Sequence, residues 1–457
     1  MTPSLTRRST RLRRVRCVRG AAATALALGL SAWAPYGVAA PVADDGSVDL
    51  GGEPVDSSTD SAAPIALDAG LWSVALNPGT QTQYFSYDRQ IDDSSVHVGV
   101  VGAAFSPGSD GVYLSTHVPS PESPEPTGCG EDYESTSSPA LVGAAVIIGD
   151  ESEGDPCLAA DTITIEVERY SSSSTEELTA AIKIVEEAPV SDPGSALAET
   201  EDLGYDVPDR VEPRTDVPGA ASFGDAPVVD VDGGAITVAA EITQGTELLW
   251  RVPLDWGDQL VVRGDLPEVT SEDPLLNTSV ELDLVQPSRD VFAIAKSEDY
   301  TYGTYAEDPP DRLVLATYPL RYANRDRDLD PTLPGDYWVG VSVEPPAEGE
   351  EPVTAPIELT FAVTTTDAAA PTYQRAVLGQ GDVDAPTGYS ADTPFLVGDG
   401  EFSAVASGNP FSPDDADDGD AWWGPRRAAG LGVGVASLAC CLAGALWLRA
   451  RRSAASH

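Results

Sequence analysis

The sequence predicts an all-β protein, and three observations carry the prediction. Apolar residues gather in short runs, often alternating with polar ones as in Thr162-Ile163-Thr164-Ile165-Glu166-Val167, a period of two that turns one face toward a core. Gly, Pro and Asn break these runs at close intervals and supply turns. Between the two ends of the chain almost nothing repeats with the 3.6-residue period of an amphipathic helix. Many short strands joined by long polar turns point to two tandem β-sandwich, jelly-roll-like units rather than a solenoid.

Taken in order, residues 1–40 read as a secretory signal peptide. Arg7, Arg8, Arg11, Arg13, Arg14, Arg16 and Arg19 precede the apolar run Ala21 to Ala34, and Val38-Ala39-Ala40 offers small residues for cleavage. Residues 41–63, rich in Asp, Ser and Gly, read as a disordered leader. Strands follow at Trp72 to Leu76, Tyr84 to Tyr87, Val96 to Val101, Leu141 to Ile148, Thr162 to Val167 and Ala181 to Val185, giving a first sandwich over 64–190. A Pro- and acid-rich linker over 191–217 separates it from a second, over 218–366, in which the pattern restarts. Gly70-Leu71-Trp72-Ser73-Val74 is matched by Gly234-Ala235-Ile236-Thr237-Val238, and Gly79-Thr80 by Gly245-Thr246. Gly335 to Val343 and Ile357 to Val363 close the second unit.

Residues 367–427 turn to Ala, Thr, Pro, Gly and Asp and read as an acidic disordered stalk. Residues 428–448 carry no charge and would span about 31 Å as a helix, enough for a hydrocarbon layer of roughly 30 Å. Arg449, Arg451 and Arg452 follow directly, so the positive-inside bias places the tail, 449–457, in the cytoplasm and the body outside. The expected location is the cell membrane, crossed once.

Charge narrows the partners. Seven Arg precede residue 40 and five follow residue 425, which leaves 14 basic side chains against 74 acids between them, a formal charge of −60. Such a body repels phosphate backbones, and nucleic-acid binding is excluded. Of the five Cys, Cys129 and Cys157 alone fall in the exported body, and they are expected to form a disulfide. Catalytic sets lack parts. His97 and His117 are the only His outside the tail, no Gly-x-Ser-x-Gly or His-Glu-x-x-His occurs, and the alternation around His97 turns it toward solvent or an edge.

Ser222-Phe223-Gly224-Asp225-Ala226-Pro227, a Gly-opened strand, and Gly245-Thr246 ahead of Trp250-Arg251-Val252 and Leu254-Asp255-Trp256-Gly257 resemble the pre-peptidase C-terminal-like β-sandwich. More narrowly, they resemble actinobacterial membrane-anchored surface proteins that carry such modules. The likeness is best over 222–366 and weaker over 64–190. It implies an accessory module that binds matrix, polysaccharide or calcium beside a secreted peptidase, although no protease domain accompanies it here.

In Asn324-Arg325-Asp326-Arg327-Asp328-Leu329-Asp330, oxygen-bearing side chains recur at every second position, a spacing that can wrap calcium, so Asn324, Asp326, Asp328 and Asp330 are the candidate metal ligands. No other cofactor is expected. The sequence thus favours a non-enzymatic cell-surface protein whose sandwiches serve adhesion or assembly with a protein or polysaccharide partner. The alternatives are a secreted carboxylate-based hydrolase and a signal-relay subunit that needs a partner helix.

Overall fold

The computed structural model describes residues 47–104, 110–120, 123, 125–136, 140–149, 155–171, 177–195, 203–231, 234–308, 312–327, 329–347, 349–374 and 389–408. The expected signal peptide, the segment 428–448 and the tail lie outside them. Among the described residues no helix is long and apolar enough to cross a membrane.

The all-β class holds. In chain order, β1 (Glu53–Pro54), β2 (Ile65–Leu67), β3 (Gly70–Leu76), β4 (Gln83–Asp88), β5 (Ser95–Ala104), β6 (Asp110–Val118), β7 (Thr127–Thr136), β8 (Ala140–Ile148), β9 (Thr162–Ser171) and β10 (Leu178–Glu187) make two sheets. One runs β1-β3-β10 and continues from β10 through β5 to β8; the other runs β2-β4-β9-β6-β7. After the short β11 (Val190–Asp192) come β12 (Thr215–Asp216), β13 (Ile236–Thr243), β14 (Glu247–Leu254), β15 (Asp258–Asp265), β16 (Ser279–Val285), β17 (Val291–Phe292), β18 (Tyr302–Thr304), β19 (Leu313–Ala316), β20 (Gly335–Val343) and β21 (Thr354–Thr365). These form the sheets β12-β13-β21-β15-β19 and β14-β20-β16-β17, with β18 also on β16. The chain ends its described course in β22 (Thr372–Tyr373), β23 (Phe395–Gly398) and β24 (Glu401–Ser403).

The two strand sets repeat one pairing scheme. β3 lies antiparallel to β10 and takes a parallel edge strand in β1, as β13 does with β21 and β12. β4 and β6 flank β9 as β14 and β16 flank β20. The glycines that repeat in the sequence explain the turns: Gly79 and Gly245, between the first two long strands of each set, take φ 82° and 77°, a left-handed conformation open to Gly at little cost. Each pair of sheets encloses its own core, Phe85, Val98, Ile165 and Ile182 in the first and Trp250, Val262, Val339 and Phe361 in the second.

A third apolar cluster joins the two sets. Alternation leaves Val101, Leu141 and Ala181 on the outer face of the β3-β10-β5-β8 sheet and Leu249, Val285 and Trp338 on the outer face of the β14-β20-β16 sheet, and these six pack together with Phe223 and Val291. The sheets therefore meet face to face along a seam. Two glycines let the β16–β17 turn sit close: a Cβ at Gly99 would lie 1.9 Å from the Ser288 carbonyl oxygen, and one at Gly143 2.6 Å from that of Arg289. Gly99→Ala should force the turn outward and cost about 1–3 kcal/mol. Urea unfolding of variant and native chain measures this, and an unchanged midpoint would show that the seam yields.

Three expectations about the connecting segments are corrected. The leader 41–63 is not wholly disordered, because Val48 and Leu50 are buried in the seam and Asp49 exchanges backbone hydrogen bonds with Ala221 and Phe223. The linker 191–217 is packed where it is described: Tyr205 stacks with Val261, Val314 and Ala316, and Arg210 pairs with Asp265. The stalk 367–427 contributes structure too. β22 pairs with β11, and the β23–β24 hairpin extends the first sheet by pairing β23 with β10, burying Phe395 fully. In each segment the apolar residues are set among many Asp, Ser, Pro and Gly, and what orders them is a face built elsewhere.

Candidate binding cleft at the seam

β10 reads Leu178-Thr179-Ala180-Ala181-Ile182-Lys183-Ile184-Val185-Glu186-Glu187, and nine of its ten residues are buried. Its inner face fills the first core. Its outer face, Lys183, Val185 and Glu187, points into the seam, where the second strand set covers it. A charge placed there needs a partner. Glu187 has three: its Oε2 lies 2.8 Å from His97 Nε2 and 2.7 Å from Arg325 Nη1, and its Oε1 accepts from the Tyr373 hydroxyl at 2.8 Å. Burial pushes the Glu187 carboxyl up, but the Arg325 charge and the His97 hydrogen bond outweigh it and bring the group down to about 2. Arg325 comes from the 3₁₀ helix Tyr322–Arg327, stacks 4.0 Å over the Tyr322 ring and donates from Nη2 to the Thr332 carbonyl.

Beside this network opens a cleft of about 550 Å³, lined by His97, Arg325, Asp132, Gln286, Asp290 and Asp330 among others. Gln286 braces it, donating from Nε2 to Asp290 at 2.9 Å and to Asp330 at 3.2 Å while its Oε1 accepts from Thr332. Asp132 accepts from the Ala145 amide at 3.0 Å. Burial first, then the charges of Asp330 and Asp132, holds Asp290 well above the usual carboxylate range. With Arg325 neutralised by Glu187, the recess presents carboxylates and amides, a lining that suits hydroxyl groups or cations. The Ser288 hydroxyl is buried and makes no hydrogen bond, so no base is set against it as a nucleophile.

The Cys129–Cys157 disulfide is present and closes a 28-residue separation, with Cys129 on the cleft wall. The candidate calcium ligands that are described fall in different settings. Asn324 is fully buried and ties its loop together by donating to the Pro319 and Pro331 carbonyls, Asp326 stands exposed on the 3₁₀ helix, Asp330 is held by Gln286, and Asp328 lies outside the described residues. Among the described residues no group of three or more His, Cys, Asp or Glu is placed to hold a metal ion. His97 is corrected: it is 1 % exposed rather than turned to solvent, because the face that alternation assigned to water is covered by the second strand set. Sequence reasoning passed over Glu187 and Arg325. One signal was present, since a Lys and two Glu inside an otherwise apolar strand need burial with partners.

No known family matches the sequence, and no curated protein matches it. Among solved structures, the chain is similar to a protein of the Sulfolobus turreted icosahedral virus at 7% identity, with 64% of this chain and 58% of that one covered and a TM-score of 0.14. It is similar to tripeptidyl peptidase 2 at 9% identity, covering 68% of this chain and 24% of that one, with a TM-score of 0.19. It is similar also to the CBM22-1–CBM22-2 tandem domain of Paenibacillus barcinonensis Xyn10C at 11% identity, covering 64% and 93%, with a TM-score of 0.16. The chain thus spans less than two thirds of the first two of these proteins, and likenesses this slight carry no functional argument.

Proposed function

We propose that this chain is a non-enzymatic cell-surface binding protein. In this reading two tandem β-sandwich modules are exported by the signal peptide at 1–40, anchored by one helix at 428–448 with a cytoplasmic tail, and serve as an assembly partner for other envelope proteins. The observation that carries the reading is the outer face of the β2-β4-β9-β6-β7 sheet. Tyr133 and Tyr170 stand 66% and 53% exposed there, Tyr133 opposite Tyr113 in register, with Glu131, Glu166 and Glu168 on the same face. The five strands hold no Lys and one Arg, Arg169, which is buried against Asp110. Exposed aromatic rings among carboxylates suit the Lys and Arg side chains of a basic protein segment, through ring-face and charge contacts together.

Treating intact cells that express the full chain with protease tests the placement. The expected result is release of the 222–366 epitope into the medium; an epitope that stays intact until lysis overturns the surface assignment. In the same cells, Tyr133→Ser with Tyr170→Ser should abolish cross-linking to neighbouring envelope proteins without lowering the amount at the surface. Undiminished cross-linking would remove this face from the proposal.

A second reading, a carboxylate-based hydrolase, draws on the raised Asp290 facing Asp330 in the cleft, since shifted carboxylates gather where proton transfer is done. Turnover of glycan or peptide substrates that is lost in Asp290→Asn would establish it in place of the first.

A further inference from the structure

On the other side of the seam the outer face of the β14-β20-β16 sheet carries a second set of acids. Register places Glu247 and Glu281 on either side of Ser342, and Asp283 on the next row beside Gly340. Gly340 leaves the room that the Glu247 carboxylate occupies, a Cβ there falling 2.4 Å from Glu247 Oε1. Between this face and β7 lies a recess of about 330 Å³, lined by Glu134, Glu281 and Asp283 and by the apolar residues Leu141, Val291 and Phe292. Among the described residues no Lys or Arg lines it. Asp283 is 6% exposed, lines the recess, and its Oδ2 makes no hydrogen bond; Glu247 Oε1, fully buried behind it, makes none either.

A buried carboxylate oxygen without a donor costs free energy unless it is protonated or meets a cation. A metal ion needs several oxygens converging on one point, and these carboxylates do not converge. They sit instead around a hollow whose lining also includes apolar residues. We propose that this recess binds a small organic polycation, two or more ammonium groups joined by methylene chains, with one ammonium on Asp283, another on Glu134 and Glu281, and the methylenes against Leu141, Val291 and Phe292. The ammonium supplies the missing donor at Asp283, and the chain length allows the carboxylates to stay apart.

Calorimetric titration of the purified full chain at pH 7.5 and physiological salt, with spermidine as the probe, tests this. Spermidine should bind at micromolar to sub-millimolar concentration, and 1,4-butanediol, similar in chain but uncharged, should not. Asp283→Asn should weaken spermidine at least about tenfold, because a charge-assisted bond is replaced by a neutral one. Glu134→Gln, on an edge strand where folding is not at stake, should weaken it several-fold. Glu350→Gln with Glu351→Gln, which removes the same kind of charge elsewhere, should leave it unchanged. The proposal fails if spermidine does not bind, if magnesium at matched ionic strength gives the same response, or if the distant pair weakens binding as much as Glu134→Gln. Should Asp283→Asn not fold, an unaltered affinity in Glu134→Gln overturns the site by itself.

Discussion

Arg325→Met should destabilise the chain by about 3–5 kcal/mol, because it leaves an ionised carboxylate buried without its cation. The loss should appear in urea unfolding at pH 7 and should change with acid. Glu187 ionises near 2 in the folded chain against 4.5 ordinarily, so the stability it contributes is present above about pH 4.5 and is lost as pH falls toward 2. In Arg325→Met that acid-side loss should shrink, since Arg325 is the main force holding the carboxyl down. Glu187→Gln combined with Arg325→Met should recover a large part of the cost, as replacing both partners of a buried pair generally does. A double variant as unstable as the two single losses added together would show that the pair is not coupled.

Glu247→Gln should act in the opposite direction and grow with pH. Burial, followed by the Glu281 charge and opposed by the hydrogen bond from the Leu141 amide, holds Glu247 up at about 8. An unfolded glutamate releases its proton near 4.5, so between those values the folded chain binds more protons than the unfolded one. Stability is full below pH 4.5 and falls by about 1.4 kcal/mol per pH unit up to pH 8. Gln keeps an acceptor for Leu141 and carries no charge. The variant should match the native chain at pH 4.5 and exceed it by roughly 4 kcal/mol at pH 8. Glu281 and Asp283 on β16 and Glu134 on β7 face the same region and titrate in both proteins, so the difference between the two curves isolates Glu247. A difference that stays flat with pH would mean that Glu247 is ionised when folded.

What was legible in the sequence was what local pattern can encode. Gly335 to Val343 is β20 as read, the run Thr162 to Val167 lies within β9, and Gly79 and Gly245 mark equivalent turns because only backbone conformation is at issue there. The seam was illegible for the same reason: period-two alternation says that one face of β5, β10, β14 and β20 is core and assigns the other to water. His97, Glu187, Glu247 and Trp338 all sit on that other face, and nothing local states that a second sheet covers it. In a related way, the spacing at Asn324 to Asp330 cannot show that Asn324 points inward to close its own loop. The Cys pair was readable by elimination. β7, Thr127–Thr136, was not, because an edge strand of Gly, Glu, Ser and Thr owes its conformation to β6.

The β23–β24 hairpin gives the chain an unusual order of attachment. Because β23 hydrogen-bonds to β10 through Glu186 and Glu187, and β22 to β11 just inside it, the whole second strand set is spliced between neighbours of one sheet, its two ends fastened at the same place. Tension applied to the chain beyond residue 408 therefore enters the first strand set through β23, the earlier of the two in sequence and the farther from the pull along the chain. The second set lies in a loop closed by these clasps, outside the covalent line of force. While the β23–β10 and β22–β11 clasps hold, load reaches it only through the packed seam and the Asp49 backbone pairing.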